Sequence, residues 1–186
     1  MKFNTWIWEA DLPNKLIVKA KKLALKNGLE NSQIGMEDGS IVQDKNYRIS
    51  KVCFIKDKDI EEKIWRYILD ANAQAFGFDI VKDFAVQFGE YKGKDKGFYD
   101  WHIDQSMITD KLLDRKLSIV IQLSDKSEYS GGKLEFEIDG EILTFDSFEN
   151  KGSVIVFPSF IRHRVTPVTK GVRHSLVAWI KGPNFR

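Results

Sequence analysis

The feature that most restricts what this chain can fold into is a change of periodicity near residue 80. Before it, apolar residues recur at helical spacing. After it, short runs rich in Val, Ile, Phe and Thr alternate with turn residues, and no further helical pattern intervenes. Parallel strands need long crossover segments, usually helices, so the second half of the chain must build antiparallel sheet. Strands are predicted near 83–91, 98–104, 116–123, 133–138, 141–145, 153–157, 161–168 and 172–181, with Asp139-Gly140 as a tight hairpin signal. Trp6 and Trp8 alternate on a further N-terminal strand and are core candidates.

In the first part, Pro13 opens a predicted helix over Asn14 to Asn27, where Leu16, Ile17, Ala20, Leu23 and Ala24 recur and Gly28 supplies the stop. A second helix is predicted from Asp59 to about Gly77, with Ile60, Ile64, Tyr67, Ile68 and Ala71 on one face. Gly35 to Asn46, polar and glycine-containing, reads as a loop. The expected architecture is therefore mainly β with flanking N-terminal helices, an antiparallel sandwich or jelly roll with helices on one side. We expect residues 1–186 to form one domain, with helical support over about 1–80 and the jelly-roll core over about 81–186.

Charge narrows the partners. With 29 basic and 27 acidic residues the net charge is +2, and no basic stripe marks a nucleic-acid binder; Lys19, Lys21 and Lys22 read as the wet face of a helix. The single cysteine, Cys53, allows no internal disulfide and suits a reducing compartment. The N-terminus lacks a signal-peptide pattern and no apolar run approaches the roughly 18 residues of a membrane span, so a cytoplasmic protein without a membrane partner is expected. Nothing in the sequence fixes an oligomeric state.

Trp101-His102-Ile103-Asp104 sets an imidazole and a carboxylate two residues apart, a spacing that points both to one face of a strand. Alone, that motif is common and often only a hydrogen-bonded pair. The chain has three histidines, however, so a distal partner must be His163 or His174. Pro167 and Gly171 bracket a predicted reversal between two antiparallel strands, which sets His163 and Arg173 on one inner face. Alternation then turns Arg173, Ser175, Val177 and Trp179 inward and His174 outward. Two imidazoles and one carboxylate suit a non-haem iron(II) site with open positions, and also a catalytic zinc. Arg173 favours the first: an inward guanidinium can pair bidentately with a carboxylate of a co-substrate, which a hydrolytic zinc site does not generally need. Otherwise it reads as a surface arginine at a strand end.

The string His163-Arg164-Val165-Thr166-Pro167-Val168-Thr169-Lys170-Gly171-Val172-Arg173, followed by Trp179-Ile180, resembles the C-terminal signature of the prolyl 4-hydroxylase-like 2-oxoglutarate oxygenases. Tyr91-Lys92-Gly93 leading to His102-Ile103-Asp104 is similar to that family's first metal-binding segment. Arg115 to Ser124, and then Gly131-Gly132-Lys133-Leu134-Glu135-Phe136, resemble its central strands and hairpin. Tyr47-Arg48-Ile49-Ser50 is similar to a short motif before the second helix. The match spans roughly residues 84–182.

The resemblance implies a double-stranded β-helix, iron(II), and 2-oxoglutarate consumed with O2 to give succinate and CO2, with ascorbate as a candidate auxiliary reductant. It implies His102, Asp104 and His163 as metal ligands, with no catalytic group beyond them, and Arg173 on the far 2-oxoglutarate carboxylate. Tyr91 and Trp179 would contact the co-substrate or form the core beside it; Arg48 and Tyr99 are candidate substrate contacts. Gln122 stands where some relatives carry a co-substrate-binding tyrosine. The expected substrate is a prolyl residue of a peptide or protein. The alternatives are the same chemistry on a free amino acid or another side chain, a non-catalytic cupin-like binding module, and a zinc hydrolase. Gly131-Gly132 reads as a β-turn rather than a phosphate cradle. Lys92, Lys94 and Lys96 lie in a charged loop located to act as a flap.

Overall fold

Along three segments, Leu113–Gln122, Val154–Pro158 and Val168–Pro183, successive side chains alternate between two cores. Leu117, Ile119 and Ile121, Val154 and Val156, and Leu176, Ala178 and Ile180 enter one core. Val120, Ile155, Phe157 and Val168 enter the other. A sheet covered on both faces reads in this way, because period-2 side chains must all find apolar cover.

The computed structural model describes residues 4–35, 41–105 and 112–184. Its strands are β1 (Trp6–Trp8), β2 (Glu30–Asn31), β3 (Ile34–Gly35), β4 (Ile41–Val42), β5 (Arg48–Ile49), β6 (Lys51–Ile55), β7 (Val86–Lys92) and β8 (Phe98–His102). They continue with β9 (Leu113–Gln122), β10 (Tyr129–Gly131), β11 (Leu134–Ile138), β12 (Glu141–Leu143), β13 (Val154–Pro158), β14 (Arg162–Val165) and β15 (Val168–Pro183). Among the described residues the larger sheet runs β1-β13-β9-β15-β7-β6-β2, with β10 also on β15, and the smaller runs β12-β11-β14-β8-β5. Every pairing is antiparallel, as expected for the jelly roll.

Helices α1 (Asn14–Asn27) and α2 (Lys58–Ala71) cover the outer face of the larger sheet. Leu16, Ile17, Ala20 and Ala24 from α1, and Ile60, Ile64, Tyr67, Ile68 and Ala71 from α2, are buried there. Asp57 caps α2, its side chain accepting from the Asp59 and Ile60 amides. The helix passes into a π-turn over Asn72–Phe76 and is closed by Gly77 in the left-handed region, which matches the expected end. No helix of the described residues is long and apolar enough to cross a membrane.

Three features depart from the expectations. First, β14 and β15 are not a hairpin. They belong to opposite sheets, and Thr166-Pro167 carries the chain from one to the other. Gly171 is not at a reversal but inside β15, at φ 71°, opposite Tyr129 of β10. Second, β2, β5, β6 and β10 were not anticipated, because segments of two or three residues hold no period and β6 shows no clean alternation of burial. The segment read as a loop from Gly35 likewise contributes β4, which pairs with β3; residues 36–40 lie outside the described residues. Third, the lysine segment after β7 is a short 3-10 turn, Gly93–Asp95, rather than a free flap. A Cβ on Gly93 would lie 2.7 Å from the Lys170 backbone, so the turn is packed directly against β15.

The pairing of β10 with β15 depends on Gly171, where an added Cβ would lie 1.9 Å from the Glu128 carbonyl oxygen. Gly77 has the same φ of 71° and nothing within 4 Å of such a Cβ. Gly171→Ala should therefore destabilise the protein by about 1–3 kcal/mol more than Gly77→Ala, the cost of overpacking added to the same backbone strain. Urea denaturation of the two variants measures that difference, and equal losses would show that β10 is free to move aside.

Candidate active site

The inner faces of the two sheets enclose a narrow cleft, and the polar side chains in it come from few positions. His102 ends β8 and His163 lies opposite it on β14, with ring centroids 4.2 Å apart. The expected strand 98–104 stops at His102, so strand alternation does not aim Asp104. Its amide instead donates to the Ser159 carbonyl at 2.9 Å, and its Oδ2 accepts from Ser118 Oγ at 2.7 Å. Because the Ser118 proton is committed to Asp104, the 2.9 Å contact between Ser118 and Ser159 has Ser159 as donor.

Each imidazole is held by a backbone carbonyl two residues before it in the chain. His102 Nδ1 lies 2.7 Å from the Asp100 carbonyl and His163 Nδ1 lies 2.9 Å from the Ile161 carbonyl. A carbonyl can only accept, so both Nδ1 atoms carry the proton and both Nε2 lone pairs face the cleft. His102 Nε2 is 3.7 Å from Asp104 Oδ1, and His163 Nε2 is 3.5 Å from Oδ2. These contacts are too long for good hydrogen bonds, but they suit ligands each about 2.0–2.2 Å from a shared ion. The three ligand atoms lie within 4.8 Å of one another. Burial, and then the charge of His163, push the His102 pKa down to about 3, which keeps its ring neutral and able to ligate. Burial alone would raise Asp104, but His163, His102, the Ser118 hydroxyl and Arg115 outweigh it and hold the carboxyl below its usual range.

Arg173 occupies the same cleft from β15 and is 1% exposed. None of its guanidinium nitrogens has a hydrogen-bond partner of good geometry among the described residues. Its Cζ sits 5.7 Å from the Tyr91 ring centroid. A buried, permanently charged fork without an anion is costly, so the cleft fits a ligand that brings a carboxylate to Arg173. The donor set of two imidazoles and a carboxylate, with one side open, fits iron(II). The structure thus provides for both groups.

The other residues singled out in the sequence also line this cleft: Tyr91, Trp179, Arg48 and Tyr99. Tyr99 stacks on His102 with ring centroids 3.6 Å apart, and Arg48 Cζ lies 4.4 Å from the Tyr99 ring centroid as a cation–π partner. Arg48 donates to Ser50 Oγ and to Gln87 Oε1 and also borders an adjoining groove lined by Asn31, Ser32 and Gln43. Arg115 lies 4.4 Å over the Trp179 ring and donates to the Asp104 carbonyl. His174 is on the other face of β15, packed on Phe88 and 3.2 Å from Glu90. Arg162 and Arg164 pair with Glu137 and Glu135, away from the cleft. Sequence reasoning missed Ser118, Ser159 and Arg115. Ser118 had a detectable signal, a lone hydroxyl inside the apolar run Leu117 to Ile121 of β9.

Three comparisons bear on this geometry. The model of the 2OG-Fe(II) oxygenase superfamily matches residues 86–181, a little more than half of the chain. A PKHD-type hydroxylase of Colwellia psychrerythraea is 35% identical over 86 residues, covering 46% of this chain and 38% of that protein. The chain thus matches well under half of that relative's length. Among solved structures, a Pseudomonas putida prolyl-4-hydroxylase superposes with TM-score 0.73 at 19% identity, covering 97% of this chain and 94% of that one. A Trichoplax adhaerens prolyl hydroxylase, solved with a hypoxia inducible factor peptide fragment, gives TM-score 0.74 at 15% identity, covering 95% and 83%. At these identities the two structures speak for the fold.

Manganese(II) titration, followed by the loss of the free-ion resonance signal, tests the site without turnover. His102→Ala, Asp104→Ala and His163→Ala should each abolish tight binding, and His174→Ala should leave it unchanged. Ser118→Ala, which removes the donor that orients Asp104, should weaken binding about 10–100-fold. Loss of binding in His174→Ala with retention in His163→Ala would reverse the facing of β14 and β15.

Proposed function

Because the chain belongs to the 2OG-Fe(II) oxygenase superfamily, we propose that it is an iron(II)- and 2-oxoglutarate-dependent hydroxylase of a prolyl residue in a peptide or protein. The observation that carries the reading is the pairing, in one cleft, of a His102-Asp104-His163 cluster with the buried, unpartnered guanidinium of Arg173. Arg173 separates this reading from a zinc hydrolase or a cupin-like binding module, neither of which calls for a buried cation at that place. We take residues 1–186 as one catalytic unit. We place the protein in the cytoplasm, where an unpaired Cys53 stays reduced.

In this reading His102, Asp104 and His163 hold the iron. The bound metal supplies the oxidative chemistry, by which O2 and 2-oxoglutarate become succinate and CO2 and one oxygen atom enters a C–H bond. The protein's own part is positional. Arg173 orients the co-substrate by its far carboxylate, and the fixed Nδ1 protons keep both imidazoles turned toward the metal. Val120, Leu134, Val165 and Val177 form apolar walls that limit water at the reacting carbon. Arg48, stacked on Tyr99 and continuous with the outer groove, is the proposed contact for the substrate backbone. A peptide substrate is supported by the family resemblance and by the relatives' names, and the groove beside Arg48 gives an extended chain a place to lie.

Incubation with iron(II), ascorbate, 2-oxoglutarate and proline-containing peptides should form succinate and add the mass of one oxygen atom to the peptide. Oxygen addition to free proline but not to peptides would replace the substrate class; no succinate under any condition would favour a binding module. Arg173→Ala should raise the 2-oxoglutarate KM roughly 30-fold or more, since truncating one partner of a buried charge pair costs about 2–5 kcal/mol. Arg173→Lys, which keeps the charge and loses the fork, should fall between.

A further inference from the structure

Arg173 is the bulkiest fully buried side chain among the described residues, yet no hydrogen bond of good geometry ties its guanidinium to them. Its place in the cleft is therefore set by what its stem packs against. One such surface is Gly132, in the connection between β10 and β11. A Cβ there would lie 3.0 Å from Arg173 Cδ, 2.7 Å from Val168 Cγ2 and 3.5 Å from Tyr129 Cε2. The missing side chain lets the arginine stem, the valine and the tyrosine ring edge close on one spot.

The backbone at Gly132 is not free to back away from the arginine. Its amide donates to the Pro167 carbonyl at 3.1 Å. The next residue, Lys133, donates its amide to Thr166 Oγ1 at 2.8 Å and accepts the Thr166 amide at 2.9 Å. On the other side, a Cβ on Gly131 would lie 2.2 Å from the Pro167 carbonyl oxygen, so that backbone is docked directly on the crossover. A side chain at position 132 would have to be absorbed by its neighbours. Val168 is β-branched, fully buried and held by its amide to the Gly97 carbonyl at 2.9 Å, so it has little room to turn. The arginine stem has several rotatable bonds and no polar anchor at its end. It is the arginine that would give.

We propose that Gly132 is a specificity-determining position: its bare backbone is the rest for the Arg173 stem, and so sets where the guanidinium stands to receive the second carboxylate of a 2-oxo acid. The inference rests on the reading of Arg173 as the far-carboxylate subsite for 2-oxoglutarate. Placement by packing has a chemical advantage. A fork steered by a protein carboxylate would spend N–H groups on it, whereas one steered through its stem keeps them for a ligand that arrives bidentately. A 2-oxo acid without a second carboxylate gains nothing from that placement.

The test is equilibrium binding by calorimetry to the manganese(II)-loaded full chain without oxygen turnover, using 2-oxoglutarate and pyruvate, which share the 2-oxo acid end and differ in the second carboxylate. Gly132→Ala should weaken 2-oxoglutarate about three- to tenfold, the scale of a charged hydrogen bond pulled out of line, and leave pyruvate and manganese(II) within about twofold. Gly140→Ala has the same kind of strain, φ 82°, but nothing within 4 Å of its Cβ, and should leave both acids within about twofold. If Gly132→Ala does not fold, it is measured on a Val168→Ala background and compared with Val168→Ala alone; the valine contact is then gone and the arginine contact remains. The same selective loss is expected there. Arg173→Ala removes Cδ, so adding Gly132→Ala to it should cost no further 2-oxoglutarate affinity. Unchanged 2-oxoglutarate affinity in the folded Gly132 variant, with strong loss in Arg173→Ala, would overturn the role of Gly132 while leaving the subsite intact. Equal loss of 2-oxoglutarate and pyruvate, or a further loss on the Arg173→Ala background, would make the glycine a general packing element and overturn the proposal. Undiminished 2-oxoglutarate affinity in Arg173→Ala would sink the subsite reading itself, and the inference with it.

Discussion

The structure depends on the fact that β15 must satisfy two environments at once. Its sixteen residues pair with β9, β7 and β10, and alternate side chains face either the helices or the cleft. Leu176, Ala178 and Ile180 anchor it to α1 and α2 through the apolar core; full burial of such side chains contributes roughly 1.5–3 kcal/mol for each large one. Arg173, Ser175, Val177 and Trp179 occupy the intervening positions. A slip of one residue would send the guanidinium into the helix core and the leucine into the cleft. The hydrophobic demand of one face therefore fixes the chemistry of the other.

The inner face carries charges that burial makes expensive, and they are handled in two ways. Asp104 is compensated within the protein by a hydroxyl, two imidazoles and Arg115. Arg173 has no carboxylate of its own, and its surroundings are a tyrosine face and a neutral phenol. The first arrangement prepares an anion to meet a cation, and the second leaves a cation for an anion that arrives from outside. The cleft thus presents a carboxylate to a cation at one end and a cation to a carboxylate at the other.

Much of this was legible in the sequence, for reasons that differ by residue. The long strands declared themselves by alternation, and three histidines left little choice of ligand. Arg173 and His163 were correctly assigned to one interior, although by the wrong connection. A hairpin and a crossover between facing sheets both bring the chain back, and periodicity does not say which neighbour a strand pairs with. Asp104 was assigned by strand phasing, yet the strand ends before it and a bend tied to Ser159 does the aiming. Tyr129 gave no signal, because a three-residue strand has no period and its position follows from a glycine some forty residues later, opposite it in the ladder.

The manner in which the three proposed ligands are held has a consequence for how the centre tolerates sequence change. Each histidine is steered by a carbonyl two residues back in the chain, so its aim travels with a short local segment and is insulated from most remote substitutions. Asp104 is steered by Ser118 and Ser159, which belong to segments distant in the chain and converge only when the larger sheet is assembled. The carboxylate is therefore the member of the cluster through which drift elsewhere in the protein is felt. Lineages that lose activity by remote mutation should first lose the alignment of this residue, with both imidazoles still in place.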